Sequence, residues 1–395
     1  MHDTGLIDSL VLNRRFIRLQ AVLNFYAFYI GKQANYDRAL DQIHADLMPD
    51  VFVSAPVDTA QIAQESQQAL AVFDAHLVSS SIPTEALGSI SSHTRTVVTR
   101  AVANYKSELD QDTRKLEGGL LEALSKINQA CIRIWQLLAE WTCIAKQQTE
   151  RSKLHQQRGM AVSMAISHSQ VLQGLQQNRV LDKLIQQEVS GWRDHLPLVE
   201  SWYHRFIKQC PSVQQYLTLS MPPYQDEQLL ILLIEDVIFK ELDIQTFFGH
   251  IDPKWSIHKR IVKKQIRRDL MHLLQEGAGV SVSALDWAID GKKEQYFYTN
   301  LVQKTLQKDA DLESLIAEKA QNWSVDRVML LDKTIIKLAL CEMLYFQDIP
   351  IKVSINEYID LSKTYSTPKS SQFINGLLDA VATTLSQRAR ADKKN

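Results

Sequence analysis

The chain has 395 residues, of which 45% are hydrophobic, so it is long enough to bury one to three hydrophobic cores. Its formal net charge is −1, so the molecule as a whole does not attract nucleic acid, and binding to a polyanion would need local basic patches. The four cysteines are scattered without a C-x-x-C pair, which indicates reduced thiols rather than disulfides or a zinc site. With no signal peptide and no apolar run long enough to cross a bilayer, we expect a soluble cytoplasmic protein.

Apolar residues recur at helical spacing along the chain, and no alternating strand pattern persists. The first helix carries a stripe at steps of four and three: Leu12, Phe16, Leu19, Leu23, Tyr26 and Ile30. A later and longer stripe is typical of the seam of an antiparallel bundle: Leu120, Leu124, Ile127, Cys131, Ile134, Leu138, Trp141 and Ala145. These patterns predict an all-α fold.

Three breaks interrupt the helical pattern. Ser79–Ser92 is rich in Ser, Thr, Gly and Pro and is predicted to be a mobile loop. Pro211 marks a second break and the pair Pro222-Pro223 a third, after which an apolar helix is predicted from Asp226 to Phe239.

The motifs nearest the C-terminus are the most specific. They comprise Ala-Leu-x-Glu (Ala339–Glu342), Ile-Pro-x-Lys-Val (Ile349–Val353), Ile-Asn-Glu (Ile355–Glu357), Leu-x-Lys (Leu361–Lys363), the aromatic Tyr365 and Phe-x-Asn-Gly-x-Leu-Asp (Phe373–Asp379). In order and spacing they closely resemble the C-terminal half of the NusB family, which are bacterial transcription antitermination factors. Near the N-terminus, Asn13-Arg-Arg-x-x-Arg18 resembles the arginine-rich first helix of that family. The chain departs from the family at Leu23, where a glutamine is usual, and at Phe25, where a leucine is usual.

The resemblance implies an all-α, NusB-like helical bundle with an additional helical insertion domain. The first helix of the bundle is predicted in residues 1–33 and the remainder in 226–395. The intervening 34–225 have no counterpart in the compact family, and we expect them to be a separable helical module.

Two helix starts carry cations. Arg14, Arg15 and Arg18 occupy the first two turns of a helix that Asn13 can cap. The helix dipole disfavours cations at this end, whereas the free N–H groups and the cations together attract anions. The alternative is a basic turn that faces solvent or forms ion pairs with a neighbouring helix.

The second helix start follows Thr367 and Pro368, which fit the N-cap and first position of the last helix. Lys369 and Ser370 then lie in its first turn, just after Tyr365, an aromatic that can stack on an unpaired base. The alternative is an ordinary capped helix with Tyr365 as a lid on the core.

The resemblance implies that the two starts combine into one clamp for RNA. The RNA-binding residues predicted in this way are Arg14, Arg15, Arg18, Tyr365, Lys369, Ser370 and Phe373. Gly376, inside the last helix, further predicts that another backbone approaches closely there.

The helix that ends in Ala-Leu-x-Glu is implied, by resemblance, to meet NusE, the ribosomal-protein partner of the family. Asp332 and Glu342 are the predicted partner-binding residues. The alternative is a surface Asp332 and a buried, hydrogen-bonded Glu342. In the following segment, Ser354 and Glu357 have the spacing of a helix capping box.

A basic run covers His258 to Arg268, with an apolar stripe on one side and five cations on the other. It is either a solvated helix face or a second track for phosphates.

Signals for catalysis are weak. Gly277-Ala-Gly279 lacks the strand context of a nucleotide fold, and Cys210-Pro211 lacks the cofactor loop of an RNA methyltransferase. An accessory role in RNA methylation is a third hypothesis. We expect no enzyme activity, metal or cofactor. The leading hypothesis is antitermination during ribosomal RNA synthesis, in which the chain binds boxA-type RNA with NusE in the transcription elongation complex. The rival is a helical protein-interaction scaffold that has lost RNA binding. Whether the protein forms a homodimer is left open.

Overall fold

The computed structural model describes residues 13–48, 59–78, 90–153, 161–176, 191–219, 226–276, 292–320 and 329–392. These residues are almost entirely helical and contain no strand, which confirms the all-α prediction. The α-helices are α1 (Arg14–Leu47), α2 (Thr59–Val78), α3 (Ser92–Lys153), α4 (Ala161–His168), α5 (Gln170–Gln176), α6 (Leu196–Trp202), α7 (Pro211–Leu219), α8 (Asp226–Leu232), α9 (Leu242–Ile251), α10 (Trp255–Glu276), α11 (Lys292–Gln307), α12 (Asp309–Lys319), α13 (Leu330–Tyr345), α14 (Ile351–Tyr365) and α15 (Pro368–Asp392). No helix in these described ranges is long and apolar enough to cross a membrane.

The chain divides into two compact units. The central unit contains Met1–Asn13 and Leu121–Lys292, and the split unit contains Arg14–Leu120 and Lys293–Asn395. Residues 34–120 are thus grouped with the first helix and the C-terminal helices, whereas the sequence predicted one insertion over 34–225. The predicted boundaries stay a prediction, for which a deletion experiment is given below.

The split unit has two packing regions. In one, the first half of α1 packs on α13 and α14, and α15 packs on α12, α13 and α14. In the other, the second half of α1 packs with α2 and the start of α3 around a core that includes Ile43, Phe73 and Tyr105. One long first helix therefore serves both regions.

The central unit is built on the second half of α3. All eight residues of the predicted stripe from Leu120 to Ala145 are buried, which confirms that pattern. Trp141 donates its indole N–H to the carbonyl of Val199 at 3.2 Å, and Trp192 stacks on Phe247 with ring centroids 4.9 Å apart. The predicted helix from Asp226 is present as α8, and it continues as a π-helical turn over Leu233–Ile238.

Three local predictions were wrong. Ile30 is 46% exposed although it continues the stripe of α1. Ser354 does not cap a helix, because α14 already begins at Ile351 after Pro350. A Cβ added at Gly376 would meet no atom within 4 Å, so no backbone approaches that glycine.

Some sequence predictions lie outside the described residues. They concern Leu12, the loop residues 79–89, the Pro222-Pro223 break and the segment Gly277–Gly279.

Candidate nucleic-acid interface

A buried ion pair joins the start of α1 to the end of α13. Arg18 donates from Nε to Oε2 of Glu342 at 2.9 Å and from Nη2 to Oε1 at 2.8 Å. The two side chains are only 2% and 0% exposed. Two parallel hydrogen bonds between a guanidinium and a carboxylate fix orientation as well as distance. The first turns of α1 are therefore held in one position on the split unit.

Glu342 also binds α14. Ser354 donates its hydroxyl to Oε1 at 2.6 Å, and the phenol of Tyr358 donates to Oε2 at 3.3 Å. Burial raises the pKa of Tyr358, and the charge of Glu342 raises it further, so the phenol keeps its proton and remains a donor. One carboxylate thus connects α1, α13 and α14.

Four of the predicted site residues lie in the interior. Arg18 is bound to Glu342 as described, and Phe373 is 6% exposed. Asp332 is 3% exposed and accepts a hydrogen bond from Ser366 at 2.5 Å. The structure therefore does not offer Arg18, Phe373, Asp332 or Glu342 to a ligand at the surface; it uses them to position the helices. For Glu342 this is the buried, hydrogen-bonded alternative.

The other two arginines of α1 are exposed. The guanidinium of Arg14 lies over the ring of Phe297, 5.3 Å from its centroid. Arg15 forms an ion pair of 3.2 Å with Asp360 on α14, and Lys363 approaches the same carboxylate at 3.7 Å. Asp360 therefore brings the start of α1 beside the last turns of α14.

The start of α15 follows directly. Thr367 accepts the backbone N–H of Ser370 at 3.1 Å, which confirms the predicted helix cap. The hydroxyls of Thr367 and Ser370 are 2.8 Å apart. Lys369 is exposed, and Tyr365 at the end of α14 is 38% exposed. The bond from Ser366 to Asp332 holds the turn between the two helices on α13.

We call this surface the basic end, defined by Arg14, Arg15, Lys363, Tyr365 and Lys369. Among the described residues, Asp360 is the only carboxylate that forms an ion pair with these cations, and Arg15 and Lys363 share it. Neither α1 nor α15 has an acidic residue in its first turn, so the positive ends of two helix dipoles are not neutralised locally. The surface combines positive charge with one accessible aromatic ring.

The sequence interpretation missed Phe297 and Asp360, which orient Arg14 and Arg15. No local signal identifies them, because each meets its arginine only through the fold. The described residues contain no cluster of His, Cys, Asp and Glu that could hold a metal ion.

Comparison with known proteins agrees with this architecture. The sequence model of the NusB family matches residues 260–383. A transcription antitermination protein NusB from Bacillus velezensis is 37% identical over 100 residues, which are 25% of this chain and 77% of that protein. The chain belongs to the NusB family. The NusB protein of Bacillus subtilis is 36% identical over 104 residues, which cover 26% of this chain and 79% of the relative.

Coverage of relatives is uneven. The NusB protein of Chloroherpeton thalassium is 44% identical over 88 residues, but only 42% of its length is matched, against 22% of this chain. No solved structure matches the chain. The NusB family match contains α13, α14 and α15 up to residue 383, and with them Tyr365 and Lys369, whereas Arg14 and Arg15 lie outside it.

Proposed function

We propose that this protein is a transcription antitermination factor that binds RNA through the basic end of its split unit. One observation carries the proposal: the buried pair of Arg18 with Glu342 holds the exposed Arg14 and Arg15 beside the end of α14. A folded protein gains little from concentrating cations at a helix start, whereas a bound anion gains from it. Family membership supports the same function.

The mechanism proposed is recognition, without a catalytic step. Arg14, Arg15 and Lys369 contact phosphates, and Tyr365 stacks on an unpaired base. Arg18 does not contact RNA in this mechanism; its bidentate pair with Glu342 positions α1. The backbone N–H of Ser370 donates to the hydroxyl of Thr367, so Ser370 contributes by fixing the start of α15.

The RNA proposed is a boxA-type single strand, and the protein partner proposed is NusE, within the transcription elongation complex that makes ribosomal RNA. Family membership supports both. Asp332 is buried, so we propose that it shapes the partner surface through Ser366 and does not touch NusE itself. Met329 and Leu330, 48% and 37% exposed at the start of the same helix, provide apolar area for a protein partner.

A salt-dependent gel shift with boxA-like RNA, with and without purified NusE, tests the proposal. The double variant Arg14→Gln/Arg15→Gln should bind more weakly and lose about 0.7 units of log–log salt slope per phosphate contact on single-stranded RNA. Tyr365→Ala should cost about 1–3 kcal/mol of binding free energy and leave the slope nearly unchanged, because stacking releases no counterions.

The matched control is Lys106→Gln/Arg114→Gln, which removes two exposed cations from α3 of the same unit. If that control weakens binding as much as the α1 variant does, the effect is one of overall charge and the basic end is not the site. If neither Arg14→Gln/Arg15→Gln nor Tyr365→Ala changes RNA binding, the scaffold hypothesis replaces this one.

A further inference from the structure

Helix α10 of the central unit has a strongly basic face. Between Lys259 and Arg268 the sequence contains six cations and no acidic residue. The cations are Lys259, Arg260, Lys263, Lys264, Arg267 and Arg268, and all are exposed or half-buried. The opposite side of the helix is buried through Ile261, Val262 and Ile266, so the direction of the basic face is fixed by the core.

Only part of this charge is neutralised. Glu235, on the π-helical turn that follows α8, pairs with Lys263 at 2.6 Å and with Arg267 at 3.0 Å. Arg268 lies 3.9 Å from the buried carboxylate of Asp269. Within the described part of the chain, no carboxylate forms an ion pair with Arg260 or Lys264. Two exposed cations, one turn apart, are therefore available to an external anion.

The spacing of the charges is unfavourable for the helix itself. Lys259 and Lys263, Arg260 and Lys264, Lys263 and Arg267, and Lys264 and Arg268 are all like-charged pairs at i,i+4. Such pairs destabilise a helix, whereas an ordinary solvated face alternates the two signs. Burial lowers the pKa of Lys259, and the charge of Lys263 lowers it further, as expected for crowded cations. Folding alone does not account for this arrangement.

We propose that the basic face of α10 is a second nucleic-acid contact, which binds the phosphate backbone of a duplex. The run of cations is about 14 Å long at 1.5 Å per residue, comparable with four base pairs at about 3.4 Å each. The exposed positions of α10 include no Tyr, Phe or Trp. Proteins that hold single strands use such rings as stacking platforms, so a face without them suits backbone contact with paired strands.

The test measures binding of the full-length protein to a duplex RNA and a duplex DNA of the same sequence, over a range of salt. In Arg260→Gln/Lys264→Gln the log–log slope should fall by about 0.9 units per lost contact, and affinity should drop roughly tenfold or more near 0.1 M salt. The matched control is Arg151→Gln/Arg193→Gln, which removes two exposed arginines from the same unit and should bind like wild type. If Arg260→Gln/Lys264→Gln binds both duplexes more weakly, the face recognises the phosphates that RNA and DNA share. If only binding to the RNA duplex is weaker, the ligand is duplex RNA.

Three results would overturn the inference. One is equal duplex binding by the two double variants, and another is an effect confined to single-stranded boxA-like RNA. The third is unchanged duplex binding with reduced binding to vesicles that contain phosphatidylserine, which would make the face a membrane contact. Arg14→Gln/Arg15→Gln, measured in parallel on single-stranded RNA, reports on the basic end separately, so either site can fail without the other.

Discussion

At the scale of single residues, the decisive contact is between Arg18 and Glu342. The pair is separated by 324 positions in the chain, and nothing local in the sequence distinguishes Arg18 from Arg14 and Arg15. All three sit at the start of a helix, where cations suggest an anion site, but only Arg18 faces the core. Its partner was one of two residues expected at a protein interface. The sequence identifies the right helices, and of the alternatives it leaves open, the structure has the ion pair with a neighbouring helix for Arg18 and the buried, hydrogen-bonded Glu342.

This pair makes a stability prediction. Glu342→Ala should lower the free energy of unfolding by about 3–5 kcal/mol, because the buried guanidinium of Arg18 loses its two hydrogen bonds and retains only the half-buried carboxylate of Glu357 at 3.6 Å. Arg18→Met/Glu342→Leu should cost less, since an apolar pair of similar volume removes both charges together, while the hydroxyls of Ser354 and Tyr358 lose their acceptor in both variants. Urea unfolding followed by circular dichroism measures both. A double variant as unstable as Glu342→Ala would mean that packing and the hydrogen bonds of Ser354 and Tyr358, and not an unpaired charge, determine the loss.

At the scale of helices, the sequence patterns that the structure confirms involve residues within one helix or one turn of each other. The cap at Thr367 and the helix start at Pro368 lie within a few residues of each other, and the structure has both. The stripe from Leu120 to Ala145 is buried throughout because residues at steps of three and four lie on one face of a helix. The capping box predicted at Ser354 is absent because the helix begins one turn earlier, at Ile351 after Pro350. The periodic pattern also predicts a buried Ile30, but that side chain is 46% exposed.

Two adjacent glycines of α3, Gly118 and Gly119, differ in their tertiary surroundings. A Cβ at Gly118 would meet nothing within 4 Å, whereas one at Gly119 would collide with the side chain of Asn24 and lie 3.0 Å from the hydroxyl of Tyr298. Asn24 donates to that hydroxyl at 2.7 Å, and Tyr298 in turn donates to the carbonyl of Leu116. The absence of a side chain at Gly119 therefore permits the contact between α1 and α11.

We expect Gly118→Ala to raise the free energy of unfolding by about 0.5–1 kcal/mol, since alanine favours the helix and fits. Gly119→Ala should lower it by about 1 kcal/mol or more, because the hydrogen bond of Asn24 must break to make room. Thermal unfolding of the two variants beside wild type checks both signs. Equal stabilisation by the two alanines would show that Asn24 and Tyr298 adjust without cost.

At the scale of the whole molecule, chain order and packing order differ. Proline and glycine breaks mark where helices end, but they do not say which helices share a core. The sequence accordingly placed residues 34–225 together, whereas the contacts group residues 34–120 with the C-terminal helices. Within the split unit, the contacts of Tyr298 with Leu116 and of Gln303 with Glu117 bring α11 against α3. The two ends left by removal of residues 121–292 therefore lie on neighbouring helices.

A pair of deletions tests which division describes folding. Replacing residues 121–292 with a Gly/Ser linker of about ten residues, which spans about 17 Å, should leave a helical protein that unfolds cooperatively. Deleting residues 35–225 should not, because it removes the core around Ile43, Phe73 and Tyr105 and also removes Trp192, on which Phe247 stacks. Circular dichroism melts and binding of a dye to exposed apolar surface distinguish the two products.

A cooperative melt for the second deletion, with a broad transition for the first, would restore the insertion boundaries predicted from the sequence. It would also mean that the family bundle folds without the second half of α1. If instead the first deletion alone melts cooperatively, its RNA binding can be compared with that of the full chain, and any duplex affinity that disappears with residues 121–292 belongs to the central unit.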